Sequence, residues 1–345
     1  MLFLFKIVLF LLFKLVNFAT LLINKYGIKY YIDTMQKNKN YTILYHIIAI
    51  IIVSVWGATL VNTKVVIGGG MRPEEVFLSR YIIAYLAMWS LSYKKFMSDS
   101  LKDELLMVVC GILGGSLYFI PENFAVEIGS VNDISFILCT SPIFTMFLAI
   151  LFCREKLTKP LAIGSIIALF GVAFIIFGGS ANSGVVKNRL LGDILAILST
   201  ASFGAYCLLL RPLGSKYGAA FLTRKMFFYG ALTGLPVFIA KPWTFPLHEF
   251  LTNIPVTFNL LFLGLVASFF GFGAWSYVTE KLGAVKTANY NYLSPVCTVI
   301  ISAIFLGEAM TVQAAIGSAL ILIGVFIANM KPQTLLNILK RNSEE

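Results

Sequence analysis

SPIFTMFLAILFCREKLT, residues 141–158, and SPVCTVIISAIFLGEAMT, residues 294–311, are one segment written twice. Without a gap, Ser141 falls on Ser294, Pro142 on Pro295, Thr145 on Thr298, Phe152 on Phe305, Glu155 on Glu308 and Thr158 on Thr311. The same offset sets AIGS at 162–165 on AIGS at 315–318, and Gly171 on Gly324. With small loop shifts, FLSR (77–80) matches FLTR (221–224) and SVWGA (54–58) matches ASFGA (201–205). Chance matches among small apolar residues do not keep order and register over such a length, so the chain reads as an internal duplication.

Composition places the two copies in a membrane. Of 345 residues, 59% are hydrophobic and 12% charged, and the mean hydropathy is +0.87. Soluble domains carry about twice that share of charge. Apolar runs recur at roughly 43–66, 74–92, 103–127, 131–152, 160–178, 191–210, 220–240, 255–278, 287–306 and 312–330. Each is about long enough to cross a ~30 Å hydrocarbon core. The runs do not alternate, which excludes a transmembrane β-barrel. The expectation is an all-α membrane protein with ten transmembrane helices. Five spans per copy is an odd number, so the second copy enters the membrane from the opposite side. Two inverted five-helix repeats around a central cavity are the architecture of many secondary transporters. The repeats occupy residues 43–180 and 189–331, preceded by a 1–42 extension and followed by a 332–345 tail.

The net charge of +11 sets topology rather than attracting nucleic acid. With the tail before the first span in the cytoplasm, that side collects Lys37, Lys39, Lys94, Lys95, Lys102, Lys156, Lys159, Lys216, Lys281, Lys286 and others. The other side collects only Arg72, Lys187, Arg189 and Lys241. Both ends of the core are therefore expected in the cytoplasm, in a cell (inner) membrane. The first 24 residues are apolar but interrupted by Lys6 and Lys14, and lack a cleavage site. They are an extra span, an interfacial helix, or sequence upstream of a start at Met35. Cys110, Cys139, Cys153, Cys207 and Cys297 sit in or beside apolar runs without metal spacing, and His46 and His248 form no zinc motif.

The matched residues carry a resemblance. Two five-span units, each with an internal proline in its fourth span, then Glu155-Lys-Leu-Thr158 or Glu308-Ala-Met-Thr311, then a glycine-spaced fifth span, resemble the EamA-type branch of the drug/metabolite transporter superfamily. The resemblance covers about 43–331 and implies ten helices around a cavity, with export of amino acids or related metabolites as a common role. Arg154 departs from the family's usual glycine, which the second copy keeps as Gly307.

Site candidates follow from depth and register. Residues 111–136 align with 264–291, which places a hairpin turn at Gly129-Ser130. Glu122 then lies ~9 Å inside the helix end at 1.5 Å per residue. A carboxylate at that depth is costly unless it faces a cavity or a partner. Tyr118 is one turn away, Asn123 adjoins it, and Arg80 lies at matched depth as a possible ion-pair partner or as a binder of substrate carboxylate or phosphate. Asp133 and Asn132 cap the fourth span, with proton coupling as the second reading of Asp133. Trp56, Asn62, Tyr206, Trp275, Tyr277, Asn289 and Asn291 combine aromatic or polar character with repeat-matched positions and are candidates for a cavity wall. At most one of Asn289 and Asn291 faces the lumen. Pro142 and Pro295 either loosen their helices for gating or pack. Glu155 and Glu308 read as hinges, and Lys64 as a snorkelling side chain.

The leading reading is a secondary transporter moving a small organic metabolite outward by alternating access, with proton exchange as candidate coupling. An organophosphate or nucleotide-sugar exchanger would need lumen-facing cations, for which the spans offer Lys64, Arg80, Arg224 and Lys225. A receptor, channel or intramembrane enzyme is the other class; HExxH, GxGD and GxSG signatures are absent, as is GxxxxGK[ST] for ATP drive. The implied partners are a small-molecule substrate and the lipid bilayer. No nucleic acid, cofactor or metal is implied, and no segment specifies an oligomeric state.

Overall fold

The computed structural model describes residues 39–153, 159–178, 188–282, 287, 289–307, 312–328 and 330. Glu155, Glu308, the 1–34 segment and the 332–345 tail lie outside the described residues. The chain divides into two compact units, Met1–Ile47 and Ile48–Glu345. Of the first, only the opening turns of one helix are described; all contacts below belong to the second.

The helices are α1 (Lys39–Gly68), α2 (Pro73–Leu91), α3 (Leu101–Ile128), α4 (Val131–Leu138 continued by Ser141–Cys153) and α5 (Lys159–Gly178). The second copy gives α6 (Arg189–Tyr217), α7 (Ala219–Gly234), α8 (Ile254–Leu282), α9 (Ser294–Phe305, entered through a 3-10 turn at Asn289–Leu293) and α10 (Val312–Ala328). No strand occurs among the described residues. Short polar side chains start the helices. Ser100, Ser130, Asn188 and Asn253 each accept a hydrogen bond from the backbone N–H three residues on. Pro73 opens α2, and the Glu75 carboxylate accepts from the Arg72 N–H at 2.9 Å. Gly218 turns α6 into α7 at φ 82°, a left-handed conformation that favours glycine.

Among the described residues, five helices are by length and composition able to cross a membrane: Ile43–Gly68, Leu101–Ile128, Val131–Leu148, Arg189–Leu210 and Ile254–Leu282. Shorter apolar helices cover Ala162–Gly171, Ser294–Phe305 and Ala315–Gly324. The expectation of ten is thus met in part. α2 carries Glu74, Glu75 and Arg80 within 19 residues, and α7 carries Arg224 and Lys225 within 16. These charges and lengths keep both below the apolar standard.

Glycines join the two copies through exchanged contacts. A Cβ added at Gly171 of α5 would lie 2.6 Å from the Gly317 carbonyl oxygen of α10; one at Gly324 of α10 would lie 2.5 Å from the Gly164 oxygen of α5. All four glycines are repeat-matched. The late residue of each helix meets the early residue of the other, so α5 and α10 run antiparallel. The pattern recurs. Gly57 of α1 abuts Ser294 and Cys297 of α9, while its mate Gly204 of α6 abuts Phe144 and Thr145 of α4. Gly111 of α3 abuts Tyr229 and Gly230 of α7, while its mate Gly264 of α8 abuts Ile83 of α2.

The third helices share a further feature. α3 widens into a π-helical turn at Ile112–Ser116, and α8 does so at Phe262–Phe270, a stretch that includes the repeat-equivalent residues. Such turns release backbone carbonyls from the helical ladder, and both are used. The Tyr81 hydroxyl donates to Gly114 O at 2.6 Å, Ser202 to Leu113 O at 2.7 Å, and the Trp56 indole to Ala267 O at 3.0 Å.

Candidate functional site

A cavity of about 60 Å³ lies among α1, α2, α3, α4, α6, α8 and α9. Half of its lining residues are repeat mates. Trp56 and Phe203 line it, as do Phe119 and Phe272, Ser141 and Ser294, and Leu138 and Asn291. The remaining lining residues are Thr59, Leu60, Arg80, Tyr118, Glu122, Ser135, Cys139 and Thr200. The aromatic floor follows from glycine. Gly271 lets the Trp56 indole come close: an added Cβ would stand 2.8 Å from its nitrogen. Trp56 then packs 4.8 Å from Trp275 and 5.2 Å from Phe272, centroid to centroid.

The two copies differ where the charge is. Arg80 and Glu122 both reach the cavity from the first copy, and both are at least 98% buried. Their repeat mates do not supply a second set. Arg224 donates instead to the carbonyls of Ser92 and Lys95 at the end of α2, and Glu122 has Trp275 as its counterpart. Arg80 is held by one hydrogen bond, Nε to Ser268 Oγ at 2.8 Å, and by its guanidinium carbon lying 4.2 Å from the Phe119 ring centroid. A desolvated cation over an aromatic face is worth about 2 kcal/mol. The Tyr118 hydroxyl interacts with the Glu122 carboxyl.

Arg80 and Glu122 sense each other electrostatically, but the direct pair expected from matched depth is not formed. Arg80 Nη1 and Glu122 Oε2 are both buried and without a hydrogen-bond partner. The cavity therefore presents one unsatisfied donor and one unsatisfied acceptor above an aromatic floor. Each unmet group costs about 1–3 kcal/mol, more when charged.

Of the residues singled out in the sequence, Trp56, Arg80, Tyr118, Glu122 and Asn291 are brought together here. Asn291 faces Ser141 Oγ at 3.5 Å; the side chain of Asn289 lies outside the described residues. Asn123, Asn62, Tyr206, Trp275 and Tyr277 are not among the lining residues. One residue along a helix turns the side chain by about 100°, and Asn123 accordingly leaves the cavity and donates to Pro73 O at 3.0 Å. Tyr206 fills the space left by Gly114 in the core, and Trp275 stands behind Trp56. Tyr277 lies under the Lys281 ammonium at 5.5 Å, and Asn62 is half-buried away from the walls. Asp133 is likewise outside, paired with Arg189 at 2.8 Å. The Lys64 ammonium reaches the α3–α4 turn, where it donates to the Val126 and Gly129 carbonyls at 2.6 and 3.1 Å. Pro142 and Pro295 are buried directly beside the lining serines, and α4 is interrupted at Cys139-Thr140, just ahead of Ser141.

Sequence reasoning missed Ser141, Ser294, Phe119, Phe272 and Ser268. The first four coincide under the repeat offset, and that coincidence was the available signal. Ser268 has no such mark; only the π-helical turn aims it at Arg80.

The pattern of the EamA-like transporter family matches this chain twice, over residues 43–177 and 190–330. An uncharacterized transporter of Archaeoglobus fulgidus is 28% identical over 238 residues, covering 67% of this chain and 79% of that protein. The uncharacterized transporter YdfC of Bacillus subtilis is 28% identical, covering 76% and 83%. A protein of Streptantibioticus cattleyicolor, named a probable terminal-alkyne amino-acid exporter, is 27% identical, covering 67% and 74%. One crystal structure superposes with a TM-score of 0.58 at 16% identity, over 86% of this chain and 99% of its own, a likeness of fold alone. Two family matches, in the same two copies that the duplicated proline segments and the exchanged glycine contacts delimit, identify the chain as a member of the EamA-like transporter family.

Proposed function

We propose that the protein is a secondary transporter that exports a small zwitterionic metabolite, of amino-acid type, by alternating access. The observation that carries this reading is the pair of unsatisfied groups in one cavity. Arg80 Nη1 suits a substrate carboxylate, and Glu122 Oε2 suits its ammonium. Phe119, Trp56 and Phe203 offer apolar area to its side chain. The amino-acid exporter named among the relatives agrees with this class.

At about 60 Å³ the cavity has room for about four waters, taking ~15 Å³ each. Substrate entry then requires the walls to part, and the junctions beside Pro142 and Pro295 are where they would do so. Glu122 exchanges substrate ammonium for a proton when the cavity is empty, which would couple export to a proton gradient. Ten spans, opposed repeats and cytoplasmic core termini complete the proposal; the antiparallel α5–α10 contact and the lysine bias support them. An organophosphate exchanger fits less well. Of its candidate cations only Arg80 lines the cavity, since Lys64 and Arg224 hold backbone carbonyls and Lys225 pairs with Glu104.

Proteoliposomes loaded with a panel of radiolabelled L-amino acids test the reading, with and without a pH gradient. Exchange of at least one amino acid, accelerated by the gradient, is expected. Failure to move any of them would sink the substrate class.

A further inference from the structure

A second ionisable cluster lies where α3 turns into α4, away from the Arg80–Glu122 cavity. Asp133, in the first turn of α4, pairs with Arg189, the first residue of α6, at 2.8 Å. One turn further along α6 stands Asp193. It is fully buried, and neither of its carboxyl oxygens has a hydrogen-bond partner.

Local packing forces this position. A Cβ added at Gly192 would lie 3.1 Å from the Gly129 Cα, and the Asn188 N–H donates to Ile128 O at 3.2 Å. The start of α6 is thereby locked onto the α3–α4 turn, and Asp193 is carried inward with it. The charged groups facing it are Asp133 from α4 and Arg189 from its own helix. Lys64 of α1 is nearby, with its ammonium on the Val126 and Gly129 carbonyls of the same turn.

As the fifth residue of α6, Asp193 lies past the free backbone N–H groups that satisfy an acid in a helix's first turn, and it accepts no hydrogen bond. Arg189 gives its Nη2 to Asp133 and its buried Nε bonds to neither oxygen of Asp193, so an ionised Asp193 would be a buried charge without a hydrogen-bond donor beside a second carboxylate. Metal occupancy is not supported: among the described residues no three His, Cys, Asp or Glu converge.

We propose that Asp193 is a proton-binding site, and that it exchanges its proton with water each time α6 parts from the α3–α4 turn. When α6 parts, the carboxyl O–H bond breaks, the proton passes to water, and the carboxylate left behind shares Arg189 with Asp133. On closure a proton returns to the carboxylate. Ser135, two residues beyond Asp133, lines the substrate cavity, so movement of this turn reaches the cavity wall directly. The coupling role rests on the transport reading above; proton occupancy does not.

Infrared spectroscopy of the purified full chain, grown with isotope-labelled aspartate, separates aspartate carboxyls from Glu122. The expected result is a label-shifted protonated-carboxyl band at neutral pH that disappears on alkalinisation and is missing from Asp193→Asn. A wild-type spectrum without that band overturns the proposal, as does a band that persists in Asp193→Asn. Sodium-dependent thermal stabilisation in place of the band would assign a cation and overturn it equally. In proteoliposomes, Asp193→Asn is expected to lose the acceleration by a pH gradient, its gradient-driven flux falling to its own exchange flux. If the wild type moves no amino acid, the transport reading fails while the infrared result still decides the proton.

Discussion

Arg80 and Glu122 show how far single residues were readable. Depth alone marked Glu122, because a carboxylate well inside an apolar run needs a reason. Depth could not say which way a side chain turns, and so Asn123 was grouped with it although it clamps Pro73. Asp193 went unnoticed because an acid near a helix start looks like ordinary dipole chemistry; only its lack of any donor sets it apart. Glu122→Gln is expected to abolish gradient-driven amino-acid transport, and a variant with wild-type rate and pH dependence would refute its role. Arg80→Lys should raise KM more than tenfold, about 1.4 kcal/mol, because a lysine cannot keep both the Ser268 bond and a planar face on Phe119; an unchanged KM would remove Arg80 from the site. Cys139 is a native reporter, since it lines the cavity. With the other cysteines replaced by serine, its alkylation should slow when a transported amino acid is present, and equal rates would place the substrate elsewhere.

Most helix bounds were legible to within a few residues, because proline, glycine and capping serines punctuate the apolar runs; α6 runs seven residues past its expected end to Tyr217, and α7 stops six short at Gly234. The Gly129-Ser130 hairpin is the clearest case: α3 ends at Ile128 and α4 begins at Val131. The π-helical turns and the break of α4 at Cys139-Thr140 were not legible. They arise from contacts between helices, which hydropathy does not encode. Contact also explains the glycines, and that account makes a prediction. Gly324→Leu drives a side chain into the α5 backbone near Gly164 and Ala168, and Gly171→Leu does the same against α10. Each should lower stability by about 1–3 kcal/mol, read as a lower midpoint in a thermal aggregation assay. Leucine at Gly68, which has open space around it, is the control and should leave the midpoint unchanged.

At the scale of the molecule, duplication was the most informative signal, because the helix contacts follow it: α1 meets α9 as α6 meets α4, and α5 meets α10. What it could not supply is the asymmetry of charge between copies, since each copy has diverged on its own. Membrane sidedness is testable directly. A cysteine at Lys241 should react with an impermeant maleimide in intact cells, and one at Lys95 only after lysis; the reverse pattern would invert the molecule. The exchange of partners also has a consequence for synthesis. Gly57 receives its hydrogen bond from Thr298, 241 residues later in the chain. At ~5–20 residues per second a ribosome needs roughly 12–50 s to cover that distance. During that interval the early helices have one another but none of their second-copy partners, and Arg80 and Glu122 sit in a half-built protein. The nascent first copy must therefore be sheltered by the insertion machinery, or by its own transient pairings, until the second copy arrives.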